Sequence, residues 1–397
     1  MAQTLKFGNG TWATKKGSTL AYNDEDGNYK PLPFTYTGAG KGTRVNKEGL
    51  IEVVENDRPR IDYLDSEDGV FLLEKASTNL VTYSEDFSNA AWTKTGATTV
   101  ASNTVISPDG NLNGSTISGL TGSGSNDIYF ITGVNPASKT YCASVYLKGE
   151  GTLRLQTSNN VNQGISKTIT LTSNWKRHSV IGTFNSTSGN LSVTIDDTTA
   201  TATQFDIWGA MLEENSIASS YIPTQGTIQT RVAETASGSG NSEVFNSSEG
   251  VLFVEMSASD NNSRISLSDG STSNRVSFKI TDDNIDFQYR VGGNYSYRVN
   301  VDVNNYLNNK ILMSYNNGLF VGYLNGFPIS NKISGVSLAD GVVNRLNLND
   351  GDASDGFKGR IKEIGYYDEI LTDEELEYMT SYRSLSAMLK ELNIKAL

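Results

Sequence analysis

The sequence predicts an all-β chain, with two antiparallel sandwiches in tandem, a small turn-rich region ahead of them and a short helix behind. Three observations carry this reading. Helical periodicity is almost absent before residue 370, and short alternating runs recur between clusters of Gly, Asn, Asp and Ser. The 397 residues exceed the ~250–300 at which a single core stops growing, so more than one domain is required. Apolar residues make up 37% of the chain, and 38 glycines, 19 tyrosines and 14 phenylalanines complete a composition that folds around thin cores and exposes much strand surface.

Residues 1–75 hold short strands around Phe34–Tyr36 and Leu50–Val54, separated by the turn signals DEDGNY, TGAGKG and NKEG. This region is too small and polar to bury a large core alone, so it is expected to lean on a neighbour or on another subunit. Residues 76–225 read as a first sandwich with jelly-roll spacing. Its strand candidates are Tyr129–Ile131, Thr140–Leu147, Thr152–Thr157, Lys167–Leu171, Lys176–Phe184, Leu191–Ile195 and Gln204–Leu212. The nearly continuous apolar run Phe205–Leu212 suits a central strand, with Trp208 buried. Residues 226–249, rich in Gly and Ser, are expected to be a flexible linker.

Residues 250–381 read as the second sandwich. NNG at 316–318 and NG at 325–326 mark hairpins, since Asn and Gly tolerate positive φ. A helical pattern then runs over 372–392, into a C-terminal helix and tail at 382–397. Thr372 and Glu375 form a capping box at its start. Tyr378, Tyr382, Leu385, Leu389 and Leu392 follow with the spacing of a two-heptad seam, which either packs on its own sandwich or self-associates.

The formal charge of −12 repels phosphate backbones and anionic bilayers, so neither nucleic acid nor membrane is an expected partner. A single cysteine, Cys142, excludes an intramolecular disulfide and fits folding in a reducing cytoplasm. The N-terminus MAQTLKFGNGTW lacks the pattern of a secretory signal, and no run approaches ~18 apolar residues.

Two stretches resemble known families. The first comprises GTRVNKEGLIEVVENDRPRIDY, FLLEKASTNLVTYSEDFSNAAWTK and LEENSIASSYIPTQGTIQTRVAE, covering about residues 42–235. In wording and order it resembles a module of tailed-bacteriophage structural proteins, a carbohydrate-binding-module-like jelly roll behind a short leading region. The second opens with EGVLFVEMSA and closes with FKGRIKEIGYYDEILTDEEL, and is similar to the concanavalin A-like, laminin-G-like sandwich. The resemblance implies a virion-surface protein (head fibre, tail fibre or capsid decoration) made in the host cytoplasm. It implies capsid or tail proteins as partners, a homotrimer, and adhesion to host-surface polysaccharide or a role in particle stability. A virion-associated depolymerase and a bacterial surface adhesin are the alternatives.

No catalytic residue is assigned. His178 is the only histidine, so any Ser–His or Cys–His system would need it, and it lies among charged residues on a strand. Glu255 and Asp260 are the nearest approach to an acid pair on one strand, but a five-residue spacing puts them on opposite faces. For sugar binding, QYRVGGNYSYRVN offers Tyr289, Tyr295 and Tyr297 for stacking, with Asn294 and Arg298 to bond hydroxyls. The competing reading is ordinary cross-strand packing. NDGDASDG offers Asp350, Asp352 and Asp355 as a possible calcium loop, against a plain surface loop, since oxygen ligands suit a hard cation. No other cofactor is expected.

Overall fold

The computed structural model describes residues 3–38, 40–281, 283–303 and 308–382. Its strands form antiparallel sheets, with one short helix among the described residues, and the chain divides into two discontinuous units. A terminal unit comprises Met1–Ala39, Asn56–Lys75 and Ala233–Leu397, and an inserted unit comprises Gly40–Glu55 and Ala76–Val232. The expected break at 75/76 coincides with one chain crossing, but residues 1–75 are not a region of their own.

In the terminal unit the strand Gly359–Tyr367 is central to the larger sheet. One of its edges pairs with Glu249–Ala258, and the other with Leu5–Gly8 and Val70–Leu73. The sheet extends through Ser18–Asn23 and Asn28–Thr37 to Thr235–Ser237 on one side. On the other it runs through Asn309–Asn316 and Leu319–Leu324. The second sheet orders Asn294–Asp302, Asn284–Val291, Arg275–Ile280, Ser263–Ser268 and Arg345–Asn347. Leu5, Phe7, Phe34 and Tyr36 are buried in one core with Leu252, Val254, Phe287 and Ile364. Residues 3–38 and 56–75 therefore lean on a neighbour, as their sparse apolar content requires, and that neighbour is the C-terminal sandwich.

The expected linker at 226–249 is instead ordered backbone. Gln229–Arg231 pairs with Ser77–Asn79, Thr235–Ser237 pairs with Asn28–Thr37, and Phe245 is in the core. A Gly/Ser-rich composition does not prevent order where ladder partners are supplied from elsewhere in the chain.

In the inserted unit two five-stranded sheets enclose a core. One orders Trp92–Lys94, Asp127–Ile131, Ser192–Asp196, Thr152–Ser158 and Gly164–Thr170. The other orders Thr99–Val105, Gly114–Ser118, Gln204–Glu213, Thr140–Gly149 and Lys176–Thr183. In the second sheet Trp208 opposes Tyr146 and Met211 opposes Ser144, so one extra residue is accommodated between them. Gly209 sits there at φ +63, the left-handed conformation of a β-bulge. The bulge lets Phe205, Ile207, Ala210 and Leu212 all face the core. Trp208 and Met211 face the other way, under Ile51 of the hairpin Thr43–Val45/Ile51–Val53. Trp208 is thus buried, beneath that hairpin rather than between the sheets. Gly209→Ala is expected to lower the unit's stability by about 1–2 kcal/mol, because an added Cβ would also meet Tyr146 Cδ2 at 3.1 Å. A denaturation midpoint unchanged from the parent would contradict the bulge.

The helix Asp373–Thr380 begins with the expected reciprocal cap between Thr372 and Glu375. It ends at Ser381, whose backbone is extended, so the helix is shorter than expected. Its buried residues are Leu376 and Thr380, while Tyr378 is 78% exposed and takes no part in a buried seam. Leu385, Leu389 and Leu392 lie outside the described residues.

Candidate functional site

The five residues expected to form a sugar platform are not brought together. Tyr289 and Tyr297 are in the core. The Tyr289 hydroxyl donates to Ser247 O at 2.8 Å, and the Tyr297 hydroxyl accepts from Gly322 N at 3.1 Å. Tyr295 is exposed, with the guanidinium carbons of Arg290 and Arg298 each 4.8 Å from its ring centroid, so cations engage the ring. Arg298 itself donates to Asp286 at 2.8 and 2.9 Å, and Asn294 sits at the exposed hairpin end. The cause is a bulge. Tyr289 opposes Tyr297 and Arg290 opposes Tyr295, leaving Ser296 as an extra residue that breaks the two-residue alternation.

The carboxylates of the candidate calcium loop are largely engaged by other groups of the chain. Asp350 is ion-paired with Arg264 at 3.0 Å and with Arg275 at 2.5 Å, and Asp355 lies 3.4 Å from Arg264. Asp352 accepts from Ser354 within its own turn. Two guanidiniums already compensate these carboxylates, so the loop is a strap over buried arginines.

His178 and Cys142 form no dyad. His178 opposes Val145, a core residue, while Cys142 opposes Ile181 on the other face. Burial pushes the Cys142 thiol up to about 12. Burial, with Lys176 and Lys167 nearby, pushes His178 down to about 4.

Asp260 pairs with Lys75 at 3.7 Å. Glu255 instead opposes Glu363 on the adjacent strand, and both line a cavity of about 420 Å³. Lys362 lies 2.9 Å from Glu255, and Gln3 donates to Glu363 at 2.8 Å. Both strands were legible in the sequence, but the register that joins them was not. Burial, helped by the charge of Glu255, holds the Glu363 carboxyl above its ordinary value. A carboxyl raised on folding contributes stability that is full below its unfolded pKa and is lost as pH rises through the folded one. Glu363→Gln is therefore expected to melt like the parent near pH 4 and higher than it at pH 8. Relief of two facing like charges is worth up to about 1 kcal/mol. A variant less stable than the parent at pH 8 would reverse this assignment.

The more open candidate is a cleft of about 760 Å³ in the inserted unit, lined among others by Lys41, Tyr83, Glu85, Asp86, Asn103, Asn113, Gln225 and Gln229. A knot of buried polar groups is bonded to its lining residues Glu85 and Thr224. Asn79 donates to Ala210 O and Ile222 O and accepts from Val81 N and Leu212 N, so its amide is saturated by backbone. Ser84 Oγ accepts from Thr224 N at 2.8 Å and meets the Tyr221 hydroxyl at 2.6 Å. That hydroxyl also donates to Glu85 at 2.8 Å. Burial raises the Glu85 carboxyl despite this bond, and Asp109 adds to the effect. Asp86 accepts from Ser88 Oγ and Asn89 N, which hold its carboxylate below the ordinary value.

On the far wall the strand Thr99–Val105 shifts register between Ala101 and Val105, and Asn103 occupies positive φ there. Asn113 donates to Asp109, while its buried Oδ1 has no partner. The cleft thus offers one aromatic ring and many convergent amide and carboxyl oxygens, the surface that suits a hydroxyl-rich ligand. Sequence reasoning missed it because its walls come from four separated segments. The available signal was that Tyr83, Glu85, Pro223, Thr224, Gln225 and Gln229 all fall within stretches that carry the first resemblance.

No family model matches the chain, and no curated protein does. Among solved structures it is similar to the CBM40 of the Ruminococcus gnavus IT-sialidase, at 19% identity and TM-score 0.30, over 34% of this chain and 84% of that one. It is similar to the enzymatically active domain of bacteriophage CBA120 tailspike protein 4, at 13% identity and TM-score 0.28, over 34% and 21%. Domain 4 of AbnA, a GH43 extracellular arabinanase from Geobacillus stearothermophilus in complex with arabinotriose, is similar at 15% identity and TM-score 0.29, over 37% and 73%.

Proposed function

We propose that the chain is a non-enzymatic structural appendage of a tailed-bacteriophage particle, a fibre or capsid decoration, whose inserted sandwich holds a host-surface glycan in the Tyr83 cleft. The supporting observation is that Tyr83, Glu85, Pro223, Thr224, Gln225 and Gln229, all within the stretches bearing the phage-module resemblance, line that cleft. A shallow polar site of this kind binds weakly by itself, and avidity comes from many copies on one particle. The appendage is a homotrimer anchored to capsid or tail proteins, which light scattering and cryo-electron microscopy of purified particles test. Intact particles lacking the chain would sink the virion assignment.

For binding, the decisive comparison is Tyr83→Ala against the parent on a glycan array and by calorimetry. Affinity is expected to fall about tenfold, equivalent to ~1.4 kcal/mol; because Tyr83 also packs on the unit's core, it is read at a temperature where both proteins are fully folded. Unchanged affinity would remove the cleft from the function. Incubation with capsular polysaccharide is expected to release no new reducing ends.

A further inference from the structure

Resting on the glycan-binding reading, the charge and hydrogen-bonding chemistry of the Tyr83 cleft also bear on which glycans it accepts. We infer that the cleft selects uncharged or amino-bearing sugars and rejects sialylated or uronic ones. One cation, Lys41, lines it against two carboxylates, Glu85 and Asp86. Asp109 stands close enough to act on Glu85 and is itself engaged by Asn113. No arginine is among the lining residues, so the planar fork that grips a sugar carboxylate is missing from the walls described.

The polar walls are correspondingly rich in acceptors. Glu85 Oε1 accepts from Tyr221, and among the lining groups the Asp86 carboxylate and the amide oxygens of Asn103, Gln225 and Gln229 take hydrogen bonds from donors. A sugar hydroxyl or ammonium supplies such donors. A sugar carboxylate would bring a third negative charge beside two fixed ones, inside a molecule of formal charge −12. Rejection by like charge is a specificity device that costs a neutral ligand nothing.

The test uses matched probes on the full-length protein: lactose against 3′-sialyllactose, and chitotriose against a hyaluronan tetrasaccharide. Titration calorimetry or saturation-transfer NMR reads the affinities. At least one uncharged probe is expected to bind, and its acidic counterpart to bind at least tenfold more weakly. Glu85→Gln is expected to narrow that ratio by raising affinity for the acidic probe, and added salt to narrow it in the parent. An acidic probe that binds as well as or better than its neutral partner overturns the inference and leaves glycan binding standing. Failure of all four probes to bind at millimolar concentration, with none on a wider array, overturns the binding reading and this inference with it.

Discussion

Arg60→Met is expected to be the most damaging single substitution in the terminal unit. Arg60 and Glu234 are fully buried, and Glu74 is nearly so. Arg60 Nε donates to Glu234 at 2.7 Å, one terminal nitrogen donates to Glu74 at 2.7 Å, and Tyr36 bonds the same Glu234. Burial alone would lower the Arg60 pKa, but Glu234 and Glu74 outweigh it and hold the guanidinium charged. Removing the cation leaves two carboxylates facing each other without compensation, at a cost of about 3–5 kcal/mol. For a unit of this size that is a midpoint lower by roughly 6–20 °C. Adding Glu234→Gln to the variant is expected to recover part of the loss, because the uncompensated charge is what costs most. A single variant within about 0.5 kcal/mol of the parent would mean the cluster is incidental.

The second large effect is a separation. At both places where the chain leaves the terminal unit, its two ends are bonded to each other. Glu234 N donates to Glu74 O at 3.0 Å, and Asp57 N donates to Gly38 O at 2.8 Å. The inserted unit closes itself in the same way, by Ser77–Asn79 against Gln229–Arg231 and by Val54 N to Gly42 O at 2.9 Å. Each unit has its own core. A protein in which residues 40–55 and 76–232 are each replaced by a two-residue Asn-Gly turn is therefore expected to fold cooperatively. Its midpoint should match one of two transitions resolved by calorimetry in the parent. An aggregated or molten product would show that the terminal unit depends on the insert, and the two-unit description would fail.

Much of the strand pattern was legible because it is local. In the first sandwich, the expected strands Thr140–Leu147, Thr152–Thr157 and Gln204–Leu212 sit within the observed Thr140–Gly149, Thr152–Ser158 and Gln204–Glu213. The hairpins at Asn317-Gly318 and Asn325-Gly326 carry positive φ at both positions, as that turn type demands. The capping box was legible for the same reason, since its two partners are three residues apart.

The site was far less legible. The platform of Tyr295 and Tyr297 assumed unbroken alternation, and one extra residue at Ser296 sends the first to solvent and the second to the core. A bulge leaves no mark in composition, because any residue can be the extra one. The acids of NDGDASDG looked free in sequence, yet their arginine partners lie on strands some 75–90 positions earlier. The cleft was unreadable for a related cause, as Lys41, Tyr83, Asn113 and Gln229 become neighbours only after the sandwich closes.

Composition, alternation and turn chemistry thus determined by themselves that this is an all-β chain of two sandwiches with a capped helix, because such signals act over a few residues. Tertiary structure alone decided that residues 3–38 complete the last sandwich, that the glycine-rich segment after residue 225 is ordered, and where a ligand could sit. Those outcomes depend on which distant strand buries which face, and burial is a property of the whole chain rather than of any window within it.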